Sequence, residues 1–249
     1  QMVMNFLGGG AAINVLARQA RARVLVVDVG VATELGEVAG LVARKVASGT
    51  DNMAAGPAMS RQQALQAVRV GIDLAESEIA AGARLLATGE MGIGNTTAAS
   101  ALLCALAQAA PDEIVGRGTG LDKAGLARKR AVVVRALAIN RSALADPVGA
   151  LAAVGGYEIA GLVGLILASA ARGRPVVLDG FIAGAAALVA ARIAPAARDY
   201  MVAGHLSSEP GHRVALRALD LEPLLNLNLR LGEGTGAVLA FHLIDAAVR

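Results

Sequence analysis

Apolar residues recur along this chain in two patterns that take turns. Short unbroken runs read as strands covered on both faces, and longer stretches with apolar positions three and four apart read as helices. Val3, Phe6, Leu7, Ile13, Leu16 and Ala17 give helical spacing, interrupted at Gly8-Gly9-Gly10. Val24 to Gly30 is the clearest strand, with Asp28 near its carboxyl end as a ligand contact or a turn residue. Residues 30–59, with glycine, Pro57, Asp51 and Asn52, read as loop, leaving a short helix around Leu41 to Ala47. Ser60-Arg61-Gln62-Gln63 is a capping box that opens a long helix to about Gly82. Arg84 to Thr88 is the next strand. The helix behind Thr97 runs to about Ala109-Ala110, and Asp122 caps another that ends near Asn140. After the break at Gly155-Gly156 come a helix from Glu158 to Ala171, a strand and turn at Pro175 to Gly180, a helix from Phe181 to Ala194 and a strand at Tyr200 to Ala203. Residues 204–210 read as a polar loop, and an apolar helix follows Gly236 to the end.

Strands that alternate with helices predict an α/β fold, a doubly wound and mostly parallel sheet. Residues 23–220 would form a Rossmann-like catalytic core. Residues 1–22 and 221–249 look helical and would form a smaller lobe together.

Composition narrows the function. The chain has 249 residues and is 55% hydrophobic, so it can bury a large core. Its longest apolar run, Ile159 to Ala171, stops at Arg172, short of the ~18 residues a membrane span needs. With aromatic residues at 2%, no Trp and no basic block, it lacks a nucleic-acid surface. A net charge of +3 suits a small anionic substrate. Cys104, the single cysteine, sits in an apolar helix and reads as a buried, inert thiol. No internal disulfide is then possible, which fits the cytoplasm.

The candidate chemistry centres on Gly89-Glu90-Met91-Gly92-Ile93-Gly94-Asn95-Thr96-Thr97. This is a strand-to-helix turn at a strand's carboxyl end, where open α/β sheets bind ligands. Its glycines let backbone approach a ligand, and the helix behind it offers N–H groups to a phosphate. It lacks the G-K-[ST] ending of a P-loop, and Thr97 stands where a dinucleotide fingerprint has its third glycine. Gly116-Arg117-Gly118-Thr119-Gly120 is a second glycine-rich loop. In the helix behind it Lys123, Arg128, Lys129 and Arg130 occupy the first half, against the dipole, a hint that some of them face an anion while most are solvated surface residues. Glu233, between Gly232 and Gly234, is open to close approach. It reads either as a general base with a pKa raised by partial burial or as a helix-start glutamate. His205, His212 and His242 have no metal-ligand spacing and read as surface or loop histidines.

Five motifs then occur in order: Gly89 to Thr97, Val115-Gly116-Arg117-Gly118, Val154-Gly155-Gly156-Tyr157-Glu158-Ile159, Val177-Leu178-Asp179-Gly180-Phe181 and Arg230-Leu231-Gly232-Glu233-Gly234-Thr235-Gly236. In these the chain closely resembles the nicotinate-nucleotide–dimethylbenzimidazole phosphoribosyltransferase family of cobalamin biosynthesis. The resemblance implies transfer of the 5-phosphoribosyl group of nicotinate mononucleotide to 5,6-dimethylbenzimidazole. It implies a homodimer that uses no metal and no cofactor. By the same resemblance Glu233 accepts the benzimidazole proton and Glu90 is a second active-site carboxylate. Met91, Gly92, Gly94, Asn95, Thr96, Gly118, Lys129, Asp179, Ser207 and Leu231 fall among the substrate-binding positions. The family's chains extend further at the amino end, with a Gly-Asp-His-Gly-Val-type stretch and part of the base pocket, whereas this sequence begins at Gln1. Two other readings stand beside it: a nucleotide-dependent oxidoreductase, disfavoured by Thr97, and a non-catalytic phosphoribosyl-binding fragment. The preferred base stays open.

Overall fold

Parallel pairing requires that consecutive strands be joined by crossovers, and every strand pair here is parallel. The computed structural model describes residues 1–118 and 120–248. The chain opens with α1 (Met2–Leu7) and α2 (Ala12–Gln19), then β1 (Val26–Asp28) and β2 (Leu41–Ala43). Next come α3 (Arg61–Ala80), β3 (Leu86–Ala87), α4 (Thr96–Ala107), α5 (Pro111–Ile114) and α6 (Lys123–Ile139). The second half holds α7 (Pro147–Val154), α8 (Tyr157–Ala171), β4 (Val176–Leu178), α9 (Phe181–Ile193), β5 (Met201–Ala203), α10 (Pro210–Leu219) and α11 (Thr235–Ala247).

The fold is α/β, with its strands divided between a two-stranded sheet, β1–β2, and a three-stranded sheet ordered β3–β4–β5. Along β4 the side chains alternate between two helical layers. Val176 and Leu178 join the main core with α4, α8 and α9. Val177 points the other way, onto Ala237 and Ala240 of α11. Alanine and glycine let the layers pack closely. A methyl group on Gly71 of α3 would overlap the Gly161 carbonyl of α8, and one on Gly164 would overlap the Val68 carbonyl. At the chain ends, Ala11, Ile13 and Val238 form an apolar cluster with Phe6, Leu16 and Phe241.

The capping signals work as read. Ser60 Oγ accepts the Gln63 N–H at 3.1 Å while Gln63 Oε1 accepts the Ser60 N–H at 2.9 Å. Asp122 Oδ1 accepts the Gly125 N–H at 2.7 Å. Three expectations need correction. Leu41 to Ala47 holds a strand, not a helix, because the edge of β1 supplies partners: Arg44 and Val46 donate N–H groups to Asp28 and Val29 at 2.9 and 2.8 Å. Residues 221–234 are irregular rather than helical. The histidines are not all peripheral: His205 and His212 are 3% and 1% exposed, and His212 lies within α10. As for Asp28, its Oδ1 accepts the Val31 N–H at 2.8 Å, a turn role.

Candidate functional site

The carboxyl ends of β3, β4 and β5 lie side by side, so the segments that leave them, 88–95, 179–180 and 204–209, share one edge of the sheet. Chain from the irregular stretch 221–234 returns to this edge. Leu225 donates its N–H to the Gly204 carbonyl at 3.2 Å, Ser208 donates to Leu229 at 3.0 Å, and Glu233 donates to Glu90 at 2.8 Å. The two glutamates singled out in the sequence are thus held on adjacent, directly bonded backbone.

The close approach depends on glycine. Gly89 lies against Glu233 so tightly that a Cβ on it would sit 2.9 Å from the Glu233 carbonyl oxygen. Gly232, Glu233 and Gly234 all have left-handed φ, at +81°, +64° and +85°. Two glycines adopt that conformation without strain. Glu233, however, is an L-residue held there, and such residues collect at functional sites. Its Oε2 accepts the Ile13 N–H at the start of α2, at 3.3 Å.

Glu90 is held differently. Its Oε2 accepts the Gly92 N–H at 2.6 Å and an Asn95 Nδ2–H at 2.7 Å. Burial pushes its pKa up to about 7, with the charges of Asp179 and Glu158 in the same direction and the bonds from Asn95 and Gly92 opposing. The Asn95 side-chain oxygen is buried with no partner among the described residues. Glu158 is a member of this cluster that sequence reasoning missed. Burial raises its pKa, against the pull of backbone N–H groups at the start of α8 and of the Asn95 amide. Its position inside the Gly155-Gly156-Tyr157-Glu158 motif was the available signal, but nothing local ties it to Glu90.

A cationic corner lies beside the carboxylates. Lys129 alone among the four basic residues of early α6 is buried. Its Nζ donates to Thr96 Oγ1 at 2.8 Å and to the Gly116 carbonyl at 3.2 Å. Burial lowers its pKa and the Glu209 charge opposes that. A Cβ on Gly118 would lie 3.0 Å from Thr96 Oγ1 and 3.5 Å from Lys129 Nζ, so that glycine completes the same corner. Arg230 Nη1 donates to the Gly118 carbonyl at 2.9 Å. Ser207 is buried, with its Oγ accepting the Glu209 N–H at 3.3 Å, and with Arg213 and Asn226 it borders a cleft of about 180 Å³. Gly92 and Gly94 have φ of +76° and +79°, and a Cβ on Gly94 would meet nothing. Met91 is half-buried and Leu231 is exposed, at the same edge.

Asp179 was expected among the substrate contacts. Its carboxylate is buried and filled by the protein itself: Oδ2 accepts the Gly234 N–H at 3.1 Å, and Oδ1 accepts those of Gly236 and Ala237 at 2.8 and 3.2 Å. An anion already sits where α11 offers its free donors. Cys104 is buried as expected, with its thiol pushed up to about 12 by that burial.

Comparison with known proteins agrees on one family. A family model described as Phosphoribosyltransferase matches residues 1–249. The nicotinate-nucleotide–dimethylbenzimidazole phosphoribosyltransferase of Desulforudis audaxviator is 58% identical over 247 residues, which are 99% of this chain and 70% of that protein. Its counterpart in Chloroflexus aurantiacus is 58% identical over 249 residues, covering 100% and 71%. The crystal structure of the Thermus thermophilus enzyme of the same name superposes with a TM-score of 0.94 at 52% identity, covering 100% of this chain and 74% of that one.

Proposed function

This chain belongs to the nicotinate-nucleotide–dimethylbenzimidazole phosphoribosyltransferase family, and from that premise we propose how its residues divide the work. It is a pentosyltransferase of cobalamin lower-ligand assembly. Its substrates are nicotinate mononucleotide and 5,6-dimethylbenzimidazole, and its products are α-ribazole 5′-phosphate, nicotinate and a proton. The bond from ribose C1′ to the pyridinium nitrogen breaks, and its electron pair goes to nicotinate. A benzimidazole nitrogen bonds to C1′ from the opposite face, which inverts the centre.

A pyridinium leaves as a neutral ring, so no general acid is needed there. The attacking azole must lose the proton on its other nitrogen, so one base suffices. We assign that base to Glu233. Glu90 would stabilise the positive charge that develops on the ribosyl group. Lys129, Thr96 and the loop at Gly118 would take the phosphate, and Gly92, Gly94 and Asn95 the ribosyl group, with Met91, Leu231 and Ser207 at the margins. The observation that carries the reading is the direct bond from the Glu233 N–H to the Glu90 carbonyl, which keeps both carboxylates at one edge. A pKa of about 7 for Glu90 supports a second reading, with the roles of the two glutamates exchanged. That value suits a base at neutral pH. Under the first reading, the bound pyridinium cation would draw Glu90 into its ionised form.

The test is single-turnover formation of α-ribazole phosphate across pH by Glu233→Gln and Glu90→Gln, in the full-length protein. We expect Glu233→Gln to lose ~10²–10⁴ in rate, the usual contribution of a general base, with substrate Kd values little changed, and Glu90→Gln to lose less. The opposite order exchanges the two roles. A homodimer, a cytoplasmic location and a 23–220 core with a lobe from the chain ends complete the reading. The apolar cluster shared by both ends supports the lobe. Light scattering, cell fractionation and limited proteolysis check these three.

A further inference from the structure

Helix α11 has no cap of its own. Its N-cap is Gly234, which has no side chain, and φ there is +85°. The free N–H groups of Gly234, Gly236 and Ala237 are instead met by Asp179, from the end of β4. A serine or aspartate at the N-cap would satisfy the helix as well, but it would not fix the helix to the sheet. A cap supplied from another strand does both.

Asp179 is itself immobilised. Its backbone N–H donates to Thr88 Oγ1 at 2.9 Å, and the His205 Nε2 atom lies 3.5 Å from its Oδ1. His205 packs directly under Gly236, where a Cβ would overlap the imidazole. The residue immediately before the capped glycine is Glu233, whose own N–H is tied to Glu90. The turn that holds Glu233 in its left-handed conformation is therefore pinned on both sides, by Glu90 on one and by Asp179 on the other.

We propose that Asp179 is a positioning residue for Glu233: it acts as a cap provided in trans that sets where the Glu233 turn stands against the sheet, and it does not bind substrate. This rests on the assignment of Glu233 as the base. The test is a double-mutant cycle of D179N with E233Q in the full-length protein, read as single-turnover rate and as the Kd of nicotinate mononucleotide by calorimetry. Asparagine keeps the size of Asp179 but offers one acceptor oxygen where two are used.

We expect D179N alone to slow turnover by roughly 10²-fold, the cost of about an ångström of misplacement, with the nucleotide Kd within about twofold. In the E233Q background D179N should cost less than about threefold, because its target is already gone. Equal losses in both backgrounds, or a nucleotide Kd that rises as far as turnover falls, overturn the inference and leave Glu233 as the base. Near-normal turnover by E233Q alone overturns the base assignment and the inference with it. Should D179N not fold, H205Q takes its place in the cycle. It loosens Asp179 while keeping the carboxylate, and additivity with E233Q then counts against the inference in the same way.

Discussion

A lysine ammonium withdrawn from water needs partners, and Lys129 has two, Thr96 Oγ1 and the Gly116 carbonyl. An ammonium carries three donors, so one remains for a ligand, in a corner built from a glycine loop and a helix start. Lys129→Ala should therefore weaken nicotinate mononucleotide binding by ~10- to 100-fold, the worth of a charge-assisted bond of roughly 1.5–3 kcal/mol. Dimethylbenzimidazole binding should barely change. Titration of the variant with each substrate checks this, and an unchanged nucleotide Kd would make Lys129 only a strut between α4 and the loop. The basic residue that faces inward was half legible. Four cations running against a dipole announced that some had a partner, but which one turns inward depends on helix phase against α4, which lies far away in sequence. Glu158 and the two buried histidines were not legible, because their neighbours, Asn95, Gly236 and Gly184, come from distant segments.

The strands and helices that carry the site were legible because their signals are local. Caps, glycine breaks and unbroken apolar runs placed α3, α6, α8, β1 and β4 to within a few residues. The errors have separate causes. β2 is three residues long, and only the free edge of β1 makes it a strand. α7 follows Asp146-Pro147, a good start signal, and Asp146 Oδ2 does accept the Gly149 N–H at 2.8 Å, but its run of small residues hides any periodicity. Closeness between elements was invisible as well. Gly71 and Gly164 carry no local sign of a contact, yet they let α3 and α8 touch backbone to backbone. Gly164→Ala has no free space for its methyl group, and forcing one into such a contact costs about 1–3 kcal/mol. In a chain of this size that is a fall in Tm of several degrees, at ~2–4 °C per kcal/mol. Thermal melts check it. A fall of less than about one degree would show that the two helices can part freely. The assigned phosphate and ribosyl contacts lie on other elements and only Glu158 of the carboxylate cluster is on α8, so nucleotide affinity at low temperature should be unchanged.

At the scale of the molecule, five ordered motifs identified the family, but they gave no hint that a titratable pair is buried behind the sheet edge. His212 Nδ1 accepts the Ser207 N–H at 2.8 Å, so the ring is neutral with its proton on Nε2, and its neighbours are His205 and Gly184. Burial lowers its pKa from 6.5 to about 3; the nearby His205 adds to this and Asp179 opposes it. The folded protein thus keeps His212 unprotonated where the unfolded chain would protonate it. By linkage, stability from this group is complete above pH 6.5 and drains away as the pH falls from 6.5 toward 3, by about 1.4 kcal/mol per pH unit within that window. Glu90 has the opposite sign, since its raised pKa favours the folded state on acidification between 4.5 and about 7. That contribution is common to the wild type and to a His212 variant, so it cancels when the two are compared. His212→Asn keeps an acceptor for Ser207 but cannot be protonated. It should melt below the wild type at pH 7.5, where it has only lost packing, and the gap should narrow by several degrees at pH 4.5. Paired melts at the two pH values decide the matter: a gap that stays constant would mean that His212 is not the group whose neutrality the fold enforces.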